Sequence, residues 1–431
     1  MSEEDVVVES GRNARSFIVA LIGAAVAGGF CAGTSAQTAP SHFADPSWPK
    51  PLPNHWKLGG ITGLAVDGDD NIWVLHRPHD LSDMELLAEL TPPLSECCVR
   101  PPSLIHFDQA GNVLGSFDAI PGHGMDVDEE GFVYVGQDTV RKYDPRTGAV
   151  VAAVARTPER EGGGQVGLPP PAERIPGKGT LRHAEVFMPG TPDAPAEVAA
   201  RAAAARMFRE KYPPETPMIV GGIEEIRVVD ADSEIYVADN YLGGRVLVFD
   251  LQTLEFKRGW GAYGKPLSEI STDDADHAYS PNGPMAQDFV GHLTLNISDD
   301  GLVYAADRRG NRIHVTTKQG DFLKEFVLAP GTGNGGSAGG VAFSPDPEQR
   351  FLYISDRMNN KIWFLNRESG EVIGHLGSMG ENGGQFFGLH MIAVDANGNI
   401  YTGEVDAFRV QRFVPADSPK GALLRRLTEM R

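Results

Sequence analysis

The sequence predicts an all-β protein, a six-bladed β-propeller with long loop insertions on one face, and three observations carry that expectation. A unit of apolar strand, Asp/Gly turn, second strand, polar loop and one or two further strands recurs six times after residue 60. The 51 glycines and 31 prolines among 431 residues suit many short strands and turns and require almost no helix. Three histidines, His123, His292 and His390, each open the first strand of units two, four and six.

The chain begins with a different composition. Residues Ser16 to Phe30, SFIVALIGAAVAGGF, form an apolar run preceded by Arg12 and Arg15 and followed by the small residues AGTSAQTA. That pattern is expected of an export signal over residues 1–36, since a membrane span needs roughly 20 apolar residues. Its removal after Ala36 takes away four acids and two arginines, which moves the net charge from -20 to -18. An acidic surface of this size argues against nucleic acid or an anionic membrane as partner. A periplasmic or secreted protein acting on a small-molecule or peptide-like substrate is expected, with no stable membrane association after removal of the signal.

Residues 37–55 are expected to be a Pro-rich, extended N-terminal extension, with the propeller occupying 56–431. The segment NHWKLGG is expected to add an outer strand to the last blade, closing the ring so that no sheet edge stays open. The six units then follow: ITGLAVDGDDNIWVLHR, HGMDVDEEGFVYVGQD, EIRVVDADSEIYVADNY, HLTLNISDDGLVYAADRR, GGVAFSPDPEQRFLYISDR and HMIAVDANGNIYTGEVD. Strands in a blade alternate in direction, so the start of strand one, the end of strand two and the exit of strand four share a face. Residues 76–103, the insertion 157–221 and residues 261–289 therefore emerge on the histidine face, where connections of such length fit a cover over a site. Within the second of them, DAPAEVAARAAAARMFREKY reads as an Ala-rich helix capped by Asp193 and stopped by Pro213, either a lid or a solvated surface helix. After removal of the signal the remaining cysteines are the adjacent Cys97 and Cys98, which can pair only with each other, stay free, or bridge molecules.

With the first strand innermost, alternate blades lie a third of a turn apart, so the three imidazoles converge on the axis. Three neutral imidazoles with an open fourth position suit one catalytic zinc ion. The equivalent positions in blades one, three and five are Thr62, Glu225 and Gly339 or Gly340. Eight residues separate His123 from Gly131 and His390 from Gly398, but nine separate His292 from Gly301. Blade four therefore needs a bulge or a shifted start to aim its ring inward. The loops after strand two add His76, Arg77 and His79 in blade one, Tyr241 in blade three, Arg308 in blade four and Arg357 in blade five. Asp239, Asp307 and Asp356 are expected to cap turns and pair with Arg245, Arg312 and Lys361 as scaffolding.

On these motifs the chain resembles NHL-repeat propellers and, within them, peptidyl-alpha-hydroxyglycine alpha-amidating lyase. The matching segments are VLHRPHD at Arg77, GHGMDVD at His123, DNYLGGR at Tyr241, GHLTL at His292, ADRRGNR at Arg308 and LHMIAVD at His390. The resemblance implies zinc on His123, His292 and His390, with Tyr241 as base or proton shuttle and Arg77 and Arg308 at the substrate. It implies cleavage of the carbon–nitrogen bond of an N-acyl alpha-hydroxyglycine or related carbinolamide to an amide and glyoxylate. The chain departs from that family's pattern in several places. Gly122, Gly291 and Leu389 replace the prolines before the ligands. Met391 stands where animal lyases carry an acid that helps hold calcium, which argues against Ca2+ here, and Leu242 replaces a disulfide cysteine. The alternative function is a non-catalytic periplasmic propeller that binds a ligand or protein partner on the same face.

Overall fold

A computed structural model describes residues 38–120, 122–158, 206–240 and 244–429. The expected export signal, most of the helix predicted in the second insertion, and Tyr241 lie outside these residues. The chain folds as six four-stranded antiparallel sheets arranged as a six-bladed propeller. Blades one to five each use four strands consecutive in sequence, and blade six adds an N-terminal strand to its three C-terminal ones.

That closing strand is His42–Ala44, not the expected NHWKLGG. It pairs antiparallel with Arg409–Pro415, with Phe43 opposite Val414. Asp45 fixes the junction by an ion pair to Lys420 at 3.3 Å and another to Arg412 at 2.5 Å. Residues 55–57 join the first insertion instead: Val99 N–H donates to His55 O, and Lys57 N–H donates to Val99 O. A three-residue strand carries too little alternation to be seen in sequence, whereas Trp56 and Leu58 of the expected segment pack into the cluster between blades one and six.

The core is distributed around the ring. Six apolar clusters fill the six spaces between neighbouring blades. One such cluster joins Tyr134 and Val140 of blade two to Ile226 and Val237 of blade three. Another joins Trp48, Ile61 and Phe107 to Met391 and Tyr401 across the closure between blades one and six. Each blade is thus stabilised by both neighbours.

The Asp/Gly turns appear where the repeat placed them. Gly131, Gly301 and Gly398 take φ of +84°, +80° and +77° between strands one and two of blades two, four and six. Cys97 and Cys98 form a disulfide with each other in the first insertion, which selects one of the three states their adjacency allowed.

Candidate functional site

Backbone irregularities at the start of the first strands turn side chains onto the axis. In blades one, three and six, one extra residue interrupts the pairing, between Ile61 and Gly63, Ile223 and Glu225, and Leu389 and Met391. The bulged residues are Thr62, Glu224 and His390. In blade two both His123 and Gly124 bond to Gly136, which makes the same two-against-one arrangement. Gly124 has φ +74°, and a Cβ there would stand 2.7 Å from the Glu225 Cα, so the bulge requires glycine. Blade four has no register shift. It uses the shifted start: His292 lies just outside Leu293–Ile297 and takes φ +55°.

The blade-three equivalent is Glu224, which corrects the sequence assignment of Glu225. A helical turn at Asp230–Asp232 with Ser233 at φ +53° lengthens the first connection of that blade by one residue. Counting back from the turn therefore lands one position late. Glu225 instead bonds Arg227 at 2.8 Å, and its burial lifts its carboxyl to about 7.

Four side chains meet at this end of the axis. His123 Nε2 lies 3.3 Å from His390 Nε2. The Glu224 carboxylate Oε1 lies 3.5 Å from His123 Nε2, 4.0 Å from His390 Nε2 and 3.0 Å from His292 Nδ1. His123 Nδ1 donates to the Glu224 carbonyl at 2.6 Å. A carbonyl can only accept, so the proton of neutral His123 sits on Nδ1 and the Nε2 lone pair faces the axis. His123, Glu224 and His390 are all buried.

The electrostatics follow from that burial. Desolvation lowers the pKa of His123, pushes that of His390 well below 6.5, and takes that of His292 to about 4. Burial acts in the opposite sense on Glu224, but the hydrogen bond from His292 and the charge of Arg308 hold its carboxyl well below 4.5. The centre is therefore an ionised carboxylate among neutral imidazoles, a donor set that fits a divalent ion. The buried guanidinium of Arg308 acts on His123, Glu224, His292 and His390. Arg77 acts on His123, and Arg357 acts on His390 while pairing with Asp406 at 2.9 Å.

Not every sequence candidate reaches the centre. His76 is buried scaffolding: its Nδ1 accepts from Gly59 N–H at 3.1 Å and its Nε2 donates to Pro102 O at 2.8 Å. Tyr241 lies outside the described residues, although its neighbour Asn240 points its amide toward Glu224 at 3.5 Å.

A repeated clamp holds the site residues. At the end of strand two, Asp239 accepts from Val220, Gly221 and Gly222 N–H at 3.0, 2.6 and 2.9 Å and pairs with Arg245 at 2.8 Å. Asp307 accepts from Val290 and Gly291 N–H and pairs with Arg312 at 3.0 Å. Glu404 accepts from Phe387 N–H at 2.7 Å and pairs with Arg409 at 2.6 Å. Each clamp grips the residues just before Glu224, His292 and His390 respectively. Asp356 departs from the expected pairing. Its carboxylate accepts from Trp363 Nε1 at 2.8 Å and Asn359 Nδ2 at 2.7 Å, and Lys361 lies over the Trp363 ring.

The described ends of the three insertions rise from strand ends on the same face. The helical stretch 206–211 of the second touches the third through Arg209, which pairs with Asp274 at 2.5 Å. Arg245 and Arg312 also hold the returning ends of these insertions, through Met218 O at 2.7 Å and Asp288 O at 2.8 Å.

No family model matches the chain, and no curated protein matches it. Among solved structures it is similar to virginiamycin B lyase from Staphylococcus aureus at 12% identity and a TM-score of 0.41, covering 84% of this chain and 87% of that one. It is also similar to a structural-genomics protein of unknown function from Bacteroides thetaiotaomicron at 12% identity and a TM-score of 0.46, covering 83% of this chain and 70% of that one. The assignment of a propeller rests on the chain's own strand pairing.

Proposed function

We propose that the chain is an exported, divalent-metal-dependent lyase that cleaves the carbon–nitrogen bond of an N-acyl alpha-hydroxyglycine or related carbinolamide. The observation that carries this reading is the meeting of His123, His390, His292 and Glu224 at one end of the axis, under the charge of Arg308 and Arg77. Zinc bound among these residues would supply the Lewis acidity that makes the substrate hydroxyl easier to deprotonate.

The chain's own groups do the rest. Arg308, buried beside all four side chains, and Arg77 hold the substrate carboxylate and favour negative charge on the reacting oxygen. The hydroxyl loses its proton, its oxygen forms the new carbonyl, and the carbon–nitrogen bond breaks with the electron pair leaving on nitrogen. Tyr241, four residues before the first strand-three residue of blade three, takes the hydroxyl proton and delivers it to that nitrogen. Amide and glyoxylate leave.

The test is direct. Zinc-loaded protein is supplied with N-acyl alpha-hydroxyglycines of several acyl sizes, and glyoxylate is measured. Release that depends on Arg77 and Tyr241 is the expected result. A zinc-loaded wild type that releases none from any acyl size overturns the substrate assignment.

A further inference from the structure

We infer that the third protein ligand of the metal centre is Glu224 and that His292 is a positioning residue acting through it; this rests on the reading of the axial cluster as a metal site. The three-histidine set suggested by the repeat places one imidazole from every second blade on the ion. The geometry selects a different set. The group whose donor atoms all lie within 4.8 Å of one another is His123, Glu224 and His390.

The distances fit one ion. The donor atoms of these three residues are 3.3, 3.5 and 4.0 Å apart. A circle through points so spaced has a radius of about 2.1 Å, which is the length of a zinc bond to imidazole nitrogen or carboxylate oxygen. A tetrahedral ion with such bonds spaces its donors about 3.4 Å apart, so only the His390–Glu224 pair has to close slightly around it. All three are also turned to the axis by the same device, a two-against-one irregularity at the head of the first strand.

His292 differs on each count. It precedes its strand by one residue, lacks the bulge, and faces Glu224 Oε1 through Nδ1 at 3.0 Å. Two donors on one ion with bonds of about 2.1 Å can stand no more than about 4.2 Å apart, and His292 stands outside the 4.8 Å group. Its position suits an imidazole N–H donating to a ligating carboxylate, which fixes the carboxylate's orientation. The same role on His123 is taken by the Glu224 carbonyl, so blade three supplies both a ligand and the support of another ligand. A carboxylate in the set leaves a bound dication with one net positive charge instead of two, and Arg308 and Arg77 then provide the remaining positive field around the substrate.

The test uses the full chain stripped of metal and titrated with zinc alone, in wild type, His123→Ala, Glu224→Ala, Glu224→Gln and His292→Ala, with circular dichroism to confirm folding. Glu224→Ala and Glu224→Gln should fall with His123→Ala, each losing more than about 100-fold in affinity, whereas His292→Ala should lose about 10- to 100-fold, the range for a supporting group. X-ray absorption of zinc-loaded wild type should show two imidazoles and needs no variant to fold. Three imidazoles in that spectrum, or wild-type affinity in Glu224→Ala beside a lost site in His292→Ala, would overturn the inference while leaving the metal reading intact. Absence of zinc binding in the wild type would overturn both.

Discussion

Replacement of Arg245 by Met tests how the scaffold delivers a site residue to the axis. The Arg245 and Asp239 side chains are both fully buried and 2.8 Å apart. The guanidinium also donates to Thr216 O and Met218 O at 2.9 and 2.7 Å and to Pro214 O. Removing one partner of a buried pair strands the other charge and costs about 3–5 kcal/mol, a large part of the roughly 5–15 kcal/mol that holds a domain together. The three backbone N–H groups that Asp239 accepts soften but do not cancel that cost, because they were already bonded in the wild type. The strain should also reach the site, since Val220 to Gly222 lead directly into Glu224. Urea denaturation of wild type, Arg245→Met and Arg245→Lys, read at constant slope, gives the stability loss, and zinc titration of the folded fraction gives the effect on the site. A loss under about 1 kcal/mol, the value of an exposed ion pair, would refute the reasoning.

Three further outcomes follow from the same structure. His76, whose burial lowers its pKa to about 4, stays neutral in the folded protein while the unfolded chain protonates below 6.5. Its contribution is complete above pH 6.5 and falls by about 3 kcal/mol as pH drops to 4, so denaturation midpoints of wild type should decline more over that window than those of His76→Gln. Zinc affinity should fall by less between pH 7.5 and 5.5 than two ordinary imidazoles would give, because burial holds the His123 and His390 pKa values below 6.5. A competition titration showing a loss near the roughly 100-fold expected of two ordinary imidazoles would contradict it. In glyoxylate release, Tyr241→Phe should cost roughly 10²- to 10⁴-fold, and Arg77→Ala should lower kcat more than it raises KM; a Tyr241→Phe enzyme at wild-type rate removes that residue from proton transfer.

The ring was legible because every blade repeats an apolar strand, a polar turn and a second apolar strand, with Gly in the turns of blades two, four and six and an acid-to-Arg spacing in blades three, four and six, and those signals are local. His123, His390 and Arg308 could be placed on one face from strand alternation alone. The closing strand His42–Ala44 could not, since three residues in a Pro-rich segment pair only with a strand some 370 positions away. Glu224 was hidden for a different reason. The adjacent Glu225 keeps the expected count from the turn, and only the longer turn at Asp230–Asp232 together with the bulge shows which carboxylate faces the axis. The nine-residue spacing of blade four signalled an irregularity at His292, and the structure resolves it as a positive φ outside the strand.

The central claim is a single divalent metal at the blade-two, blade-three and blade-six end of the axis. Elemental analysis of the chain purified without chelator, beside His390→Ala prepared identically, puts it to the test. One zinc per wild-type chain and almost none in the variant are expected, because losing one of three protein ligands leaves the ion mostly to water. Equal metal in both proteins, or none in the wild type even after incubation with zinc, would contradict it.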